Sequence, residues 1–397
     1  MIKKIVNRIL AIALIASIAV IGGATLFGNM RSLGYAFAVN YTQYLDKDGG
    51  PFAGISARIA SLTAAINVNI LGKDWFEKTN ARMQLALGKH SLNFGSTTMV
   101  RLNTGHLYDL LGDADVSDDI ESMKALNDTL GEDGIPMIFV YAHGTLYEDD
   151  MLPTGVADFN DKVADDMVNG MREAGITTID SREVYKNRGM TLDDAIFRTD
   201  LHWSIMTAFN VYRASCEALL ETGAIQPDMT ATDIGRFDIE ILENAHMGGM
   251  GERVGAEAVE PDDFQVITPA FETYIRQNIM TSEGYQQREG TFEQAVMNAD
   301  LLEGGGYSNR YDSYGYHTEI VYYTNENAPE GRLLIVKDSY GTPVTSFMSL
   351  AVRDVCALDL RKTQKTVEQL VDEFKPDAVV VIHCQEMFRG KNYVFIN

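Results

Sequence analysis

Two short stretches carry residue types able to do nucleophilic chemistry. Phe197-Arg198-Thr199-Asp200-Leu201-His202-Trp203-Ser204 puts a carboxylate two residues before an imidazole, and Leu333-Leu334-Ile335-Val336-Lys337-Asp338-Ser339-Tyr340-Gly341 puts a serine just past an apolar run. A serine hydroxyl is a weak nucleophile that needs a base within hydrogen-bond reach, and the base in turn needs an orienting group. His202 and Asp200 suit these two roles. In an extended segment residues i and i+2 point the same way, which lets Asp200 hold the His202 tautomer. Base and nucleophile are far apart in the chain, so only a fold joins them. Each stretch also has a plain structural reading. Asp-x-His occurs as an ordinary surface or capping pair, and Lys-Asp-Ser before a helix serves as a cap. The Gly-x-Ser-x-Gly elbow is absent around Ser339, which counts against an α/β-hydrolase.

The elements that must position these residues alternate. Strand-type apolar runs at 135–141, 176–179, 319–323, 333–336, 355–358 and 378–382 are interleaved with helical spacing over 116–130, 158–174, 203–220, 343–351 and 366–374. Uniformly apolar strands between amphipathic helices predict an α/β fold, a three-layer α/β/α arrangement with a mainly parallel sheet. Ligands of such sheets bind outside the carboxyl ends of the strands, where Ser339 falls. The helix that follows offers N–H donors and a partial positive charge to an oxyanion. Residues 97–111 read as two short strands around a turn, an edge hairpin. Residues 222–318, rich in Gly, Asp, Glu and Tyr and interrupted by Gly248-Gly249-Met250-Gly251, read as a long insertion lying over the site.

The chain has 397 residues, 46% of them hydrophobic, and a net charge of −23. Phosphate backbones repel such a chain, so nucleic acid is not an expected partner. Cys216, Cys356 and Cys384 have neither metal-ligand spacing nor an even count, and read as small buried residues. His90, His106, His143, His246, His317 and His383 show no paired ligand spacing, so neither a metal nor a cofactor is expected. Only His143, after a strand end, stands near the expected site. At the N-terminus Lys3, Lys4 and Arg8 precede an uncharged apolar run at 9–27. That length suffices for a transmembrane helix, and the flanking charges keep its start inside and send the body out of the cytoplasm. A cleaved signal peptide ending near Ala36-Phe37-Ala38 is the rival; the run is long for such a peptide. The expected plan is a membrane anchor or signal segment at 1–30, a stalk at 31–94, and a catalytic domain at 95–397 with the insertion at 222–318.

Arg198-Thr199-Asp200-Leu201-His202-Trp203-Ser204 resembles the Arg-Thr-Asp-x-His-Trp-(Ser/Thr) signature of the DHHW family, which is similar to the alginate O-acetylation proteins of the SGNH hydrolase superfamily. Further matches, from Gly175-Ile176-Thr177-Thr178-Ile179-Asp180 to Pro376-Asp377-Ala378-Val379-Val380, extend the resemblance over about 95–397. Its motif order is permuted relative to ordinary SGNH enzymes, with Asp-x-His before the serine, as here. Leu201 replaces the first His of the name-giving motif, and Lys337 stands where many relatives have Gly. The resemblance implies that Ser339 is acylated and passes the acyl group to a sugar hydroxyl or water, with His202 as base then acid and Asp200 orienting it. Backbone N–H groups at Ser339, Tyr340 or the turn containing Gly249 would serve the oxyanion, and Arg253 either contacts donor or glycan or is a solvated surface arginine. Trp203 is either a sugar-stacking platform or packed in the core. The implied function is that of an extracytoplasmic, membrane-anchored O-acetyltransferase or acetylesterase acting on a cell-envelope or secreted polysaccharide. Its implied partners are a glycan and, by analogy, a multi-pass membrane acyl-donor protein. The alternative is a non-catalytic envelope or glycan-binding protein that keeps the fold.

Overall fold

Apolar strands separated by amphipathic helices are satisfied by a sheet with helices on both faces, and the computed structural model of the chain has that arrangement. It describes residues 53–388 apart from 71, 95–96, 145–150, 282–283, 316–317 and 364, together with 20, 22–25, 33–34 and 37. The apolar run at 9–27 lies outside the described residues except for 20 and 22–25, and Ala36, Ala38 and His317 lie outside them too. Among the described residues no helix is long and apolar enough to cross a membrane. The chain divides into two compact units, Met1–Met83 and Gln84–Asn397. Helix α1 (Ala53–Asn69) belongs to the first, and the boundary between the units falls within α2 (Lys73–Ala86).

The second unit begins with β1 (Ser91–Phe94), β2 (Thr97–Arg101) and β3 (Leu107–Asp109). These form a three-stranded antiparallel sheet of their own. The expected edge hairpin at 97–111 is therefore real as a hairpin, but it is paired to β1 and does not border the main sheet. There follow α3 (Ser117–Glu132), β4 (Met137–Ala142), α4 (Asn160–Glu173), β5 (Thr177–Asp180), α5 (Ser181–Asn187), α6 (Leu192–Ala195) and α7 (Ile205–Thr222). Next come β6 (Phe237–His246), α8 (Gly249–Val254), β7 (Asp262–Pro269), β8 (Ile275–Thr281), β9 (Gly284–Gly290) and α9 (Phe292–Ala295). The chain closes with β10 (Ile320–Thr324), β11 (Arg332–Lys337), α10 (Gly341–Ala351), β12 (Asp354–Leu358), α11 (Val367–Phe374) and β13 (Ala378–Cys384).

The main sheet has eight strands in the order β5-β4-β13-β11-β12-β10-β8-β9. Its first five strands are parallel; β10, β8 and β9 are antiparallel to their neighbours. The sheet is thus mixed, not mainly parallel throughout. Apolar patterning records burial, and burial is the same for either strand direction. The β8–β9 hairpin can only be antiparallel, since a parallel pair needs a long crossover. Every residue of β4 and of β13 is buried. Because successive side chains point to opposite faces, both faces of the sheet centre are covered.

Helix α10 is buried along its whole length, the hydroxyls of Thr345, Ser346 and Ser349 donating to backbone carbonyls as buried polar groups require, and it packs on α7. Ser204 caps α7 by accepting from the Thr207 N–H, and Gly223 closes it in the left-handed conformation at φ 74°, which costs a residue without Cβ little. Phe347 of α10 sits at the centre of an aromatic cluster, with ring centroids at 5.2 Å from Phe209, 5.8 Å from Tyr212, 6.0 Å from Phe292 and 5.4 Å from Tyr314. Truncating it removes packing shared by the helical layer and the 222–318 segment. Phe347→Ala is expected to cost about 3–5 kcal/mol, read as a lower urea midpoint; a loss below about 1 kcal/mol would mean the cluster is not a packed core.

Candidate active site

Strand β11 has β12 on one side and β13 on the other. The chain therefore leaves β11 in one direction and returns past it in the other, which makes the carboxyl end of β11 a topological switch point. Asp338-Ser339-Tyr340 is the turn at that end. Asp338, fully buried, braces the turn: Oδ1 accepts from the Tyr340 N–H at 2.9 Å, Oδ2 from the Cys384 N–H at 2.6 Å, and its own N–H donates to Ile382 O at 3.2 Å. The turn is thereby tied to the end of β13. Ser339 stays partly open to solvent. Among the described residues its N–H has no acceptor.

The second stretch meets it. His202 Nε2 lies 2.8 Å from Ser339 Oγ, and His202 Nδ1 lies 2.9 Å from Asp200 Oδ1. With a carboxylate at Nδ1 that nitrogen carries the proton, leaving Nε2 to accept from the serine hydroxyl. The local reason differs from the extended segment expected. Residues 198–202 are bends, and the His202 N–H also donates to Asp200 Oδ1, at 3.4 Å. An Asx-type turn, not strand alternation, aims the imidazole back at the carboxylate. Tyr311 stacks on the His202 ring, centroids 4.2 Å apart and planes at 17°, and its hydroxyl donates to Tyr340 O at 3.2 Å.

Asp200 is only 3% exposed. Burial pushes its carboxyl pKa up, but His202 and then His246 outweigh that and hold it well below the usual carboxylate range. His246 Nε2 lies 3.3 Å from the second carboxylate oxygen, Oδ2. The bend is clamped from outside by Asp262, which accepts from the N–H groups of Arg198 (2.7 Å) and Thr199 (2.9 Å) and from Thr199 Oγ1 (2.5 Å). Thr199 Oγ1 also accepts from the Gly248 N–H at 3.0 Å, and Thr199 O from the Gly251 N–H at 2.8 Å. Sequence reasoning missed His246, Asp262 and Tyr311 as parts of this site. His246 was weighed only for metal-ligand spacing, and no spacing rule links it to Asp200.

The other expected site residues fall as follows. Tyr340 is buried, its N–H is committed to Asp338 and its hydroxyl donates to Leu201 O, so that N–H does not face an oxyanion. Trp203 is 0% exposed and packs edge-on against Tyr340, centroids 5.2 Å apart. It is a core residue with no open face for a sugar. Gly249 is exposed at the first position of α8, where helix N–H groups lack intrahelical partners. Arg253, half-buried on the same helix, lies close enough to Asp109 to offset part of the burial that raises that carboxyl to about 6. Lys337 is buried, and its ammonium donates to Thr342 Oγ1 at 3.0 Å. His143 is buried with Nε2 3.3 Å from Asp161 Oδ1, a partner other than Asp200 or Ser339. The three cysteines are buried.

Two tests follow from this geometry. A Cβ on Gly248 would lie 2.3 Å from Asp200 Cβ and 2.4 Å from its Oδ2, whereas one on Gly249 meets nothing within 4 Å. Gly248→Ala is expected to destabilise by about 1–3 kcal/mol through overpacking. Gly249→Ala stays within about 0.5 kcal/mol of wild type or above it. Equal effects in chemical denaturation would contradict the packing. Burial lowers the Lys337 pKa from 10.5 to about 8, with Asp359 opposing it. Between those values the unfolded chain binds more protons than the folded one, so this group's contribution to stability rises with pH across that window. The melting temperature of Lys337→Met relative to wild type should therefore fall as pH rises through the window. A gap independent of pH would show that the ammonium is not desolvated.

Residues 104–322 match the family described as the SGNH hydrolase-like domain of the acetyltransferase AlgX. The matched stretch contains Asp200, His202, His246 and Asp262 and stops short of Ser339. No curated protein sequence matches the chain. Among solved structures, a DHHW family protein from Eubacterium siraeum DSM 15702 superposes with a TM-score of 0.58 at 17% identity, covering 77% of this chain and 96% of that one. Bacillus cereus PatB1 gives a TM-score of 0.62 at 16% identity over 76% and 100%. Its structure with a sulfonyl adduct gives 0.62 at 17% over 77% and 100%. Likeness at this identity speaks to the fold alone, an SGNH-like α/β architecture. With more than half its length inside the family match, the chain belongs to the SGNH hydrolase-like, AlgX-type acetyltransferase domain family.

Proposed function

We propose that the protein is a serine-dependent O-acetyltransferase or acetylesterase whose nucleophile is Ser339, with His202 as base and acid and Asp200 as orienter. The observation that carries this reading is the unbroken hydrogen-bonded chain from Asp200 through His202 to Ser339. Ser339 Oγ attacks the acetyl carbonyl carbon while its proton passes to His202 Nε2. The tetrahedral oxyanion then collapses, and the donor oxygen leaves with that proton. In the second half an acceptor hydroxyl, or water, gives its proton to His202 and attacks the acyl-enzyme, and the C–O bond to Ser339 breaks as His202 returns that proton to Ser339 Oγ. We assign the oxyanion to the Ser339 N–H, beside the N-terminus of α10. Gly249 and Arg253 on α8 are assigned to contacts with donor or acceptor. Asp200 stays ionised and stabilises the imidazolium that forms.

The substrate class is a polysaccharide. Family membership with the acetyltransferase AlgX supports acetyl as the acyl group. The apolar run at 9–27 behind Lys3, Lys4 and Arg8 supports an extracytoplasmic body held at the membrane, and a membrane acyl-donor protein enters by family analogy alone. No cofactor enters the reaction.

A sulfonyl fluoride and a chromogenic acetyl ester test the reading together. The folded wild type is expected to be labelled at Ser339 and to release acetate, and Ser339→Ala to lose both. Asp200→Asn is expected to lower kcat by roughly 10³–10⁴. A wild-type chain that neither labels nor turns over acetylated esters or glycans is instead a non-catalytic relative. Turnover that survives Ser339→Ala would rule out the assignment of the nucleophile.

A further inference from the structure

We propose that His246 is a positioning residue for the triad, acting through Asp200. A carboxylate presents two oxygens, and burial requires partners for both. Oδ1 serves His202; Oδ2 faces His246 Nε2 at 3.3 Å. The other nitrogen of that ring settles its proton. The Arg310 N–H donates to His246 Nδ1 at 3.1 Å, so Nδ1 is an acceptor and Nε2 carries the hydrogen that points at Asp200. Arg310 is itself held, its buried guanidinium donating to the carbonyls of Ala245 (2.7 Å) and Leu301 (2.9 Å). Phe197 packs over the His246 ring at 4.3 Å between centroids.

The result is a relay of orientation running Arg310, His246, Asp200, His202, Ser339. As a neutral donor, His246 satisfies Oδ2 without cancelling the negative charge that His202 needs when it becomes an imidazolium. A cation in the same place would remove that charge, and an apolar residue would leave Oδ2 buried without a partner. Loss of the donor makes Asp200 a stronger acceptor toward His202, which raises the pKa of the imidazole. At neutral pH less of the base is then in its working form.

The kinetic part of the test rests on the serine acyltransfer reading; the spectroscopic part does not. Full-length chain labelled with ¹⁵N-histidine is titrated by NMR as wild type, His246→Leu and His246→Gln, the last keeping a donor where Nε2 was. In wild type the neutral His246 ring is expected to be the Nε2–H tautomer. A Nδ1–H tautomer would overturn the proposal on its own, even if His246→Leu fails to fold. The His202 midpoint is expected to move up by roughly half a unit or more in His246→Leu and to return in His246→Gln. In acetyl ester turnover, normalised by sulfonyl titration of active sites, His246→Leu is expected to lose tenfold or more in kcat with KM little changed. The acid limb of its pH profile should move up with the His202 midpoint, and Gln should restore both. An unchanged His202 midpoint in His246→Leu, with or without loss of kcat, overturns the proposal and leaves His246 a packing residue. If the wild type shows no turnover, the acyltransfer reading fails while the titration still decides the role of His246.

Discussion

A carboxylate held almost wholly out of water is the constraint on which the site depends. Removing one partner from a buried charge typically costs about 3–5 kcal/mol, so Asp200 can stay ionised only if its surroundings are built for it. Here they are: imidazoles face both oxygens, and Gly248 leaves the space that a Cβ would fill. The same arrangement that keeps the charge tolerable gives it direction. Both oxygens are engaged, so the carboxylate cannot rotate, and the imidazole it holds points at the serine.

Ser339 is braced by a second buried carboxylate. Asp338 takes the N–H groups on either side of the switch point, one from its own turn and one from the end of β13. That makes the turn at Ser339 a property of the sheet and not of a mobile loop, which is what preorganised chemistry needs. Tyr311 joins the two halves, with its ring on His202 and its hydroxyl on the carbonyl of Tyr340. The excursion at 222–318 therefore does more than lie beside the sheet. It supplies two strands to the main sheet, the histidine and tyrosine beside Asp200 and His202, and the Asp262 clamp on the Thr199 backbone.

Much of this was legible in the residues themselves. Alternating apolar strands and amphipathic helices located the layers and placed Ser339 at the carboxyl edge. The Asp-Leu-His segment placed a carboxylate beside an imidazole, although a local turn and not the expected extended segment brings them together. Trp203 was readable as core or platform, and only packing against Tyr340 decided for the core. The glycine turn was visible too, but composition cannot say which glycine is needed. The crowded one, Gly248, is the neighbour of Gly249, where a Cβ meets nothing within 4 Å.

What the chain determines alone is local: where strands and helices form, which hydroxyl sits past a strand end, and which imidazole has a carboxylate within two residues. These follow from short-range sterics and from hydrophobic periodicity, both written in consecutive residues. Only the tertiary structure decided the direction of β10, β8 and β9, since burial patterns are blind to strand direction. It also decided the partners His246, Asp262 and Tyr311, each brought to the site from another part of the chain. A hydrogen bond between distant segments leaves no period and no spacing behind it. It exists because a buried charge must be matched, and the fold determines by what.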